Sequence, residues 1–510
     1  MFKKILIANR GEIAVRVIRA CREMGIAAVA VHSEADRTSL HVQLADEAVP
    51  IGPPPAVESY LDMSRIIRAA HETGAEAIHP GYGFLAENAA FGRLCEKEGV
   101  IFIGPNTAAL ELVGDKVRAR QTMEKAGIPI IPGMQSVAQS PRECEAAARA
   151  LGYPVIVKAS AGGGGKGMRI VAEERDLAPA LEAGCREAKS AFGDESVYLE
   201  KYIEEPRHVE FQVLADNDGR TVHLFERECS IQRRYQKIVE ETPSTALDAG
   251  LRARMGETAV RVMKTAGYTN AGTVEFLLDK DRNFYFLEVN ARLQVEHPVT
   301  ELVTGLDLVR RQIMIAAGEP LGLSQDDIRQ RGHALECRIY AEDPRHRFLP
   351  SSGRIVFLKE PQGPGIRCDS GIYAGWDVPV YYDPILAKLI VWAEDRASAC
   401  RRMGSALDDY VVLGIHTTID FLKDVVRHPA FLSGRTTTAF LKTHFDEWGG
   451  GGPDEEALRL ALAAAAYDEA ARGRMPAASR PGLGAGATGL PSPWTTLGGW
   501  RNGGPGSHGI

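Results

Sequence analysis

Residues 153–171 read YPVIVKASAGGGGKGMRIV, two apolar runs joined by the glycine-rich segment AGGGGKG at 161–167. Consecutive glycines let backbone N–H groups approach an anion closely, because no Cβ intervenes. A Walker A loop is excluded because no Ser or Thr follows the lysine, and a dinucleotide fingerprint because a strand rather than a helix follows. The stretch predicts a β-flap that closes over the phosphates of ATP, with Lys158 pointing at the same phosphates. A merely flexible hairpin tip remains the alternative.

The N-terminal segment has the pattern of a βαβ unit. Lys4–Ala8 is a short apolar run, Glu12–Met24 carries apolar residues at helical spacing, and Ile26–His32 is a second apolar run. Gly25 is suited to end the helix between them. Such a unit predicts a parallel sheet covered by helices. The pattern continues with a helix at 60–73, a strand at 75–79, a helix at 87–98 and a strand at 100–104.

Beyond this unit the pattern changes. A helix is predicted to run from Asp115 to Ala126, and C-terminal to the flap the segments are mostly strand-like. Strands are predicted at 197–202, 208–214 and 221–226, a helix at 251–266, a hairpin at 272–278 and 283–288, and β-type segments at 334–341, 353–360 and 383–393, followed by a helix at 398–413. After Trp448 the chain continues with GGGG, an Ala/Leu-rich helix at Asp454–Arg474 and a Gly/Pro/Ala/Ser tail. That tail cannot bury a core, so we expect it to be flexible.

The composition is that of a soluble globular enzyme. Of 510 residues 45% are hydrophobic and 25% charged, and the net charge of −7 argues against binding of nucleic acid or anionic membranes. The eight cysteines include no CxxC pair, which gives no support for a zinc or redox motif. Scattered cysteines, no apolar stretch long enough to span a bilayer and no signal peptide predict a cytoplasmic protein.

The segment Glu288-Val-Asn-Ala-Arg-Leu-Gln-Val-Glu296 alternates polar and apolar residues without a break. If it is extended, its two acids, two amides and one arginine share one face. An amphipathic strand with one wet face is one interpretation. The other is a site that holds a hard cation at one end and a small oxyanion at the other, with Glu275 supplying a second carboxylate for magnesium.

Other positions carry similar alternatives. The run Gln232–Lys237 is either a solvated basic face or an anion site for bicarbonate and phosphate. Lys116 lies at a predicted helix start, as a surface lysine or an anion ligand. Arg338 in mid-strand is either paired or aimed at a ligand, and His208 is either structural or functional. The turn at 79–84 is either a plain turn or a ligand loop.

Several segments together resemble the biotin carboxylase family: ILIANRGEIAVRVIRACREMGI, AIHPGYGFLAEN, VIVKASAGGGGKGMRIV, EKYIEEPRHVEFQV, ERECSIQRRYQKIVEETPS, FLEVNARLQVEHPVTE and ECRIYAEDP. The resemblance covers roughly residues 1–446, and its most specific part is RLQVEHPVTE combined with the SIQRR–QKIVEE run. It implies an α/β fold (α+β in parts) of the ATP-grasp type. The expected domains are a Rossmann-like parallel-sheet domain at 1–113, an ATP-grasp domain at 114–332 with a β-flap lid at about 131–203, a β-rich domain at 333–446, and the tail at 447–510.

The resemblance also implies an activity. ATP, Mg²⁺ (or Mn²⁺) and bicarbonate would carboxylate biotin carried on another polypeptide, by way of carboxyphosphate. The ATP ligands would be Lys116, Lys158, Gly164, Gly165, Glu200, Lys201, Ile203, His208, Gln232, Tyr235, Glu275 and Glu288, and the metal ligands would be Glu275, Glu288 and Asn290. Bicarbonate would be held by Lys237, Arg292, Gln294 and the Val295 backbone, with Glu296 as its general base, and biotin would be met by Arg338 and Tyr82.

The implied partners are a biotin carboxyl carrier protein, carboxyltransferase subunits and a second copy of the chain. Tyr235 stands where relatives often have His, so we expect a changed ATP contact. No Ala- or Val-Met-Lys-Met acceptor is present, and the nearest match, Val262–Thr265, falls in a predicted helix. SPWTTLGGWRNGG at 492–504 resembles the linker of acyl-CoA carboxylase α-subunits, which suggests a carrier that acts in trans.

Three questions stay open. The final acceptor is acetyl-CoA, propionyl-CoA, methylcrotonyl-CoA or pyruvate. Another ATP-grasp ligase of the carbamoyl-phosphate synthetase type would share the flap and the acid pair. A non-catalytic nucleotide-binding subunit is disfavoured because Lys237, Arg292, Glu296 and Arg338 are all present.

Overall fold

The structure is a computed structural model that describes residues 1–134, 136–138, 140–159, 168–192, 194–450 and 455–474. The chain divides into a unit at Met1–Gly450 and a second at Gly451–Ile510. The second unit contributes one described helix, Glu455–Arg474. Most of the predicted tail lies outside the described residues. Among the described helices, none combines the length and apolar character that crossing a bilayer requires.

The N-terminal part is a five-stranded parallel sheet with helices packed on it. Its elements are β1 Lys4–Ile7, α1 Gly11–Glu23, β2 Ala27–Ser33, α2 Leu40–Leu44, β3 Glu47–Gly52, α3 Met63–Thr73, β4 Ala77–His79, α4 Ala89–Lys97, β5 Ile101–Phe102 and α5 Thr107–Gly114. The strand order is β3-β2-β1-β4-β5. Apolar residues of β1 and of one face of α1 are almost fully buried, which explains the helical spacing seen in the sequence. The predicted βαβ unit is confirmed.

The flap region is a small three-stranded sheet with helices beside it. Its elements are α6 Lys116–Lys125, α7 Pro141–Leu151, β6 Val155–Ala159, β7 Arg169–Val171, α8 Leu177–Phe192 and β8 Val197–Lys201. β6 pairs with β7 antiparallel, with Val155 opposite Val171. The predicted hairpin around the glycine-rich segment is therefore confirmed. Gly164 and Gly165 themselves lie outside the described residues.

The largest sheet of the protein is antiparallel. In chain order the following elements are β9 Arg207–Ala215, β10 Thr221–Arg233, β11 Gln236–Thr242, α9 Ala249–Thr265, β12 Asn270–Leu278, β13 Phe284–Asn290, α10 His297–Thr304, α11 Leu308–Ala316, β14 His333–Tyr340, β15 Glu342–Asp343, β16 Leu349–Pro350, β17 Gly353–Arg354, β18 Phe357–Lys359, β19 Ile366–Ser370, β20 Asp377–Val378, β21 Ile385–Ala393, α12 Arg396–Asp409, β22 Val411–Leu413, α13 Ile419–Arg427, α14 Pro429–Leu432 and α15 Phe440–Phe445. Eight of the strands form one sheet in the order β13-β12-β9-β10-β11-β14-β21-β19. Strands on both sides of residue 333 thus share one sheet.

Three sequence expectations are wrong in detail. The segment 288–296 is not one strand, because β13 ends at Asn290 and Pro298 opens α10 in its first turn. The alternation does not mark one wet face of a strand, since the polar Glu296 is 0% exposed, as is the apolar Leu293. Segment 353–360 splits into β17 and β18. The helix expected at 398–413 ends at Asp409, because the following residues form β22 against β18.

Candidate functional site

Strand register brings acidic side chains together on one face of the large sheet. Glu275 on β12 lies opposite Glu210 on β9 and opposite Glu288 on β13. Residues directly opposite each other in an antiparallel pair project to the same face. Strand pairing alone therefore places three carboxylates side by side. Nearby cations must balance their negative charge.

Lys237 on β11 is the centre of a buried ionic group that we call the Lys237 cluster, made of Lys237, Glu210, Glu275 and Glu296. The ammonium Nζ lies 2.7 Å from Glu275 Oε1 and 2.7 Å from Glu296 Oε1, and it also contacts Glu210 Oε2. The lysine side chain is 12% exposed and the three acids are at most 5% exposed. Of the two interpretations of the run at 232–237, the solvated basic face does not hold for Lys237, because its side chain points inward.

Neighbouring charges, rather than burial, determine the direction of the pKa shifts of Lys237, Glu275 and Glu296. Burial alone would lower the pKa of Lys237, but the three carboxylates hold that pKa well above its usual value. Burial alone would raise the pKa of Glu296, but Lys237 and Arg338 hold it well below its usual value. The pKa of Glu275 is lowered likewise, against burial, by Lys237 and His208. Glu296 is therefore a charged carboxylate with no exposed surface.

Arg338 lies in mid-strand on β14 and is buried and paired. Its Nη2 donates to Glu296 Oε2 at 3.0 Å and its Nε donates to Glu240 Oε1 at 2.6 Å. Burial raises the pKa of Glu240 to about 7, against the opposing charge of Arg338. Glu296 is thus held from two sides, by Lys237 and by Arg338.

The loop after β13 is not extended, but its polar side chains still contact one another. Arg292 Nη2 donates to Asn290 Oδ1 at 3.2 Å, and Nη1 donates to Gln294 Oε1 at 3.1 Å. Arg292 Nε also donates to Glu87 Oε2 at 2.9 Å. Gln294 is buried, and its Nε2 has no hydrogen-bond partner in the described part of the chain. A buried amide donor without a partner is costly and points to a missing acceptor.

Among the residues expected to bind the triphosphate and adenine, two lysines contact carboxylates, one on β13 and one on β8. Lys116, the first residue of α6, donates to Glu288 Oε2 at 2.8 Å. Lys158 on β6 contacts the buried carboxylate of Glu200 on β8, which Arg120 also contacts. Lys201 is turned to backbone carbonyls of 152 and 153 at 2.9 and 3.0 Å, and Ile203 is half-buried.

Of the two residues expected on the ribose side, His208 contacts an acid directly and Gln232 contacts His208. His208 Nδ1 lies 2.6 Å from Gln232 Nε2, and His208 Nε2 lies 2.9 Å from Glu275 Oε2. Tyr235 is 56% exposed in the turn between β10 and β11, where its φ is +66°. Tyr82 donates its hydroxyl hydrogen to Glu12.

Family comparison fits this geometry. Residues 1–110 match the family described as "Biotin carboxylase, N-terminal domain", residues 115–324 match "Carbamoyl-phosphate synthase L chain, ATP binding domain", and residues 336–443 match "Biotin carboxylase C-terminal domain". The biotin carboxylase of Nostoc is 54% identical over 441 residues, 86% of this chain and 99% of that protein. The chain belongs to the biotin carboxylase family. It is an ATP-dependent ligase, as the resemblance implied.

Two further similarities extend the assignment. The propionyl-CoA carboxylase alpha chain of Ruegeria pomeroyi is 48% identical over 493 residues, 92% of this biotin carboxylase and 72% of that protein. The crystal structure of the 2-oxoglutarate carboxylase biotin carboxylase domain dimer from Hydrogenobacter thermophilus, with MgADP, ADP and bicarbonate, superposes with a TM-score of 0.84. It is 50% identical and covers 87% of this chain and 98% of its own. The expected ATP-grasp fold is confirmed.

Sequence reasoning missed several residues of this biotin carboxylase. The buried ones are Glu210, Arg227, Glu240 and Lys388, and two less buried ones are the half-buried Arg120 and the exposed Glu87. A signal existed for Glu210, because His208, Glu210 and Gln212 alternate along β9. For the others the sequence offers no periodicity that separates them from surface charges, since their partners lie far away along the chain.

Proposed function

We propose that this biotin carboxylase transfers the carboxyl group of bicarbonate to biotin carried on a separate protein, at the expense of ATP. The observation that carries the proposal is Glu296, a fully buried carboxylate held between Lys237 and Arg338. Phosphoryl transfer to bicarbonate requires positioning and charge neutralisation, with one base to remove a proton. The Lys237 cluster and the adjacent Arg338 supply cations, acids and that base in one place.

Glu275, Glu288 and Asn290 fit a hard divalent cation, Mg²⁺ or Mn²⁺. Two carboxylates face each other across β12 and β13, and the amide of Asn290 donates to Glu275 at 2.7 Å. Oxygen ligands of this type suit Mg²⁺. When bound, the metal neutralises phosphate charge. Lys237 and Lys116 now pair with these acids.

We assign the ATP phosphates to Lys116 and Lys158, with Gly164 and Gly165 in the flap. The adenine side is assigned to Glu200, Lys201 and Ile203, and the ribose side to His208 and Gln232, with Tyr235 near the nucleotide. Lys116 and Lys158 each contact a carboxylate, so their ammonium groups lie near the site and can exchange that contact for phosphate oxygens.

Bicarbonate is assigned to Lys237, Arg292, Gln294 and the Val295 backbone. The unpartnered amide Nε2 of Gln294 supports this, because bicarbonate offers the acceptor that this donor lacks among the described residues. Glu296 removes the bicarbonate proton, and the resulting oxygen attacks the γ-phosphorus as the bond to ADP breaks. The product is carboxyphosphate.

Carboxyphosphate then breaks its carbon–oxygen bond to give carbon dioxide and phosphate. The phosphate removes the ureido N–H proton of biotin, and the nitrogen so exposed attacks carbon dioxide to form the new N–C bond. Arg338 is assigned to the enolate oxygen of biotin, and Tyr82 to a contact with biotin. A buried guanidinium stabilises that oxyanion strongly, because burial limits screening by water.

For the wider assembly we propose a carrier protein in trans, carboxyltransferase subunits as partners and a homodimer. The 92% of this chain that aligns with a propionyl-CoA carboxylase alpha chain supports an acyl-CoA carboxylase, with acetyl-CoA among the candidate acceptors and fatty acid biosynthesis as one setting. Pyruvate carboxylase is the alternative, because a pyruvate carboxylase subunit of Methanothermobacter thermautotrophicus is 54% identical.

The test is ADP release by the purified chain with Mg-ATP, with and without bicarbonate and free biotin. We expect hydrolysis that requires bicarbonate and rises with biotin. A carbamoyl-phosphate synthetase-like ligase is the second candidate, favoured by the description of the family matched at 115–324. Turnover that responds to ammonia and ignores biotin would select it instead.

A further inference from the structure

Lys388 on β21 is a lysine with no exposed surface, and the proposed mechanism does not use it. Its side chain is 0% exposed, and β21 lies next to the edge strand β19 of the largest sheet. A buried ammonium costs several kcal/mol of desolvation unless its three donors are satisfied. The groups that satisfy these three donors therefore indicate the role of Lys388.

Each partner of Lys388 comes from a different part of the fold. Nζ donates to the backbone carbonyl of Val295 at 2.8 Å. It lies 3.3 Å from Glu12 Oε1 on α1 and 3.9 Å from Asp369 Oδ2 on β19. Asp369 is also directly opposite Lys388 in the sheet. One ammonium thus joins the N-terminal helix, an edge strand and the loop after β13.

The Val295 carbonyl belongs to the peptide group whose nitrogen is that of Glu296. Residues 291–296 are in neither helix nor strand, so few backbone hydrogen bonds hold that peptide. His297 and Pro298 then open α10. A charge-assisted hydrogen bond to this carbonyl therefore fixes the peptide plane from which the Glu296 side chain departs.

We propose that Lys388 is a positioning residue that holds the Val295–Glu296 peptide so that the Glu296 carboxylate meets bicarbonate. The proposal rests on the proposed role of Glu296. Lys388 also lies opposite Arg338 in the sheet, so two of the residues that constrain Glu296 share one register position, Lys388 through the backbone and Arg338 through the side chain.

The same network reaches the biotin side of the site. Glu12 accepts from the Tyr82 hydroxyl as well as lying beside Lys388. Burial raises the pKa of Glu12, although the charge of Lys388 opposes that rise. Movement of Tyr82 is thus connected to the Val295–Glu296 peptide through two side chains, Glu12 and Lys388.

The experiment compares wild type with Lys388→Met, which keeps the unbranched chain and removes the donors. We expect kcat for bicarbonate-dependent ATP hydrolysis to fall about tenfold to a hundredfold, because small misplacement of a reacting group has effects of that size. The KM for ATP should stay within twofold, since Lys388 does not contact the nucleotide side. Hydrogen–deuterium exchange of a peptide that covers 291–297 should rise.

Arg396→Met is the matched control. Arg396 is also a mostly buried cation of the C-terminal part, with Nε 2.7 Å from Glu241 Oε2 and Nη1 2.8 Å from the Leu432 carbonyl. Its partners lie away from the 291–296 loop. We expect it to lower Tm and to leave kcat and exchange at 291–297 unchanged.

If Lys388→Met does not fold, Lys388→Arg provides the test, because it keeps the charge beside Glu12 and Asp369 while its longer, planar guanidinium cannot place a donor where Nζ meets the Val295 carbonyl. In that variant a stable protein should still show a lower kcat and faster exchange at 291–297. Unchanged kcat and exchange in the folded variant, or equal losses in Arg396→Met, would overturn the positioning role. A wild-type chain without bicarbonate-dependent turnover would instead contradict the proposed function.

Discussion

Glu296→Gln is the substitution that tests the chemistry of the Lys237 cluster most directly. Glutamine has nearly the same shape as glutamate, but it carries no charge and cannot accept a proton from bicarbonate. The change leaves Lys237 and Arg338 in place, each with one carboxylate partner fewer. Any loss of turnover in a folded variant is therefore a loss of the base or of its charge.

The expected loss of rate follows from the proposed role of Glu296 as a general base. Removing a positioned general base lowers a rate by about 10²- to 10⁴-fold, or about 3 to 5 kcal/mol of transition-state stabilisation. The stability effect has a definite sign. Because the pKa of Glu296 is held well below 4.5, the folded state gains stability from the carboxylate above pH 4.5 and loses it as pH falls. The variant should thus be less stable than wild type at pH 7.

Glu241→Gln is the control for stability. Glu241 is buried and paired with His333 and Arg396 at 2.8 and 2.7 Å, and these partners, against burial, lower its pKa to about 2. It should lose stability without losing kcat. The assay is bicarbonate-dependent ADP release at pH 8, with Tm measured for each protein. A kcat for Glu296→Gln within threefold of wild type would refute the assignment of Glu296 as base.

Three further predictions concern other parts of the chain. Asp36→Asn should lower the free energy of unfolding at pH 7 by roughly 2 kcal/mol in urea titrations, because Arg10, against burial, lowers the pKa of Asp36 to about 2; the difference from wild type should shrink as pH falls from 4 to 2. Tyr235→Gly should raise the free energy of unfolding by about 1 kcal/mol, since φ is +66° in a two-residue hairpin turn where glycine is favoured; a decrease would contradict this. Lys264 should remain unmodified when the chain is coexpressed with a biotin ligase, as intact mass would show, because Lys264 lies inside α9 and the preceding Met263 is 0% exposed.

Local features of the fold could be predicted because their causes are local. The β1–α1–β2 unit has apolar residues at the spacing of each element, and Gly25 ends the helix with a φ of +70°. The flap hairpin was predicted because strand-type residues flank the glycine-rich segment. In both places a few neighbouring residues determine the backbone, so periodicity is sufficient evidence.

The segment 288–296 shows the limit of predicting structure from periodicity. Its polar residues were expected on one face of a strand, and they do converge, but through a loop and a helix start. Alternation indicates only that consecutive side chains lie in different environments. Here the apolar Leu293 packs into a core beside α11, while Gln294 accepts from Arg292 and Glu296 pairs with Lys237. The convergence could be predicted from the types of residue, but the backbone path could not.

The pairing of charges was the least predictable feature. Lys237 meets Glu296 across 59 residues, and Lys388 meets the Val295 carbonyl across 93. Such contacts depend on the register between β10, β11 and β14 and on the position of α10, none of which one strand's sequence encodes. Lys388 sits in DPILAKLIVWA, where a single lysine in an apolar run resembles an edge-strand charge.

The buried charges around Lys237 are difficult to explain as a stabilising feature. Replacing a buried ion pair by well-packed apolar residues is often neutral or stabilising, and an arrangement with several acids around one ammonium costs more still. A different explanation is that these groups are partners of one another only until substrates arrive. Lys237 has each of its acids held by a second group, Glu210 by Arg227, Glu275 by His208 and Glu296 by Arg338. Lys237 can therefore be released to an oxyanion while each of those carboxylates keeps another partner, as the proposed role of Lys237 requires.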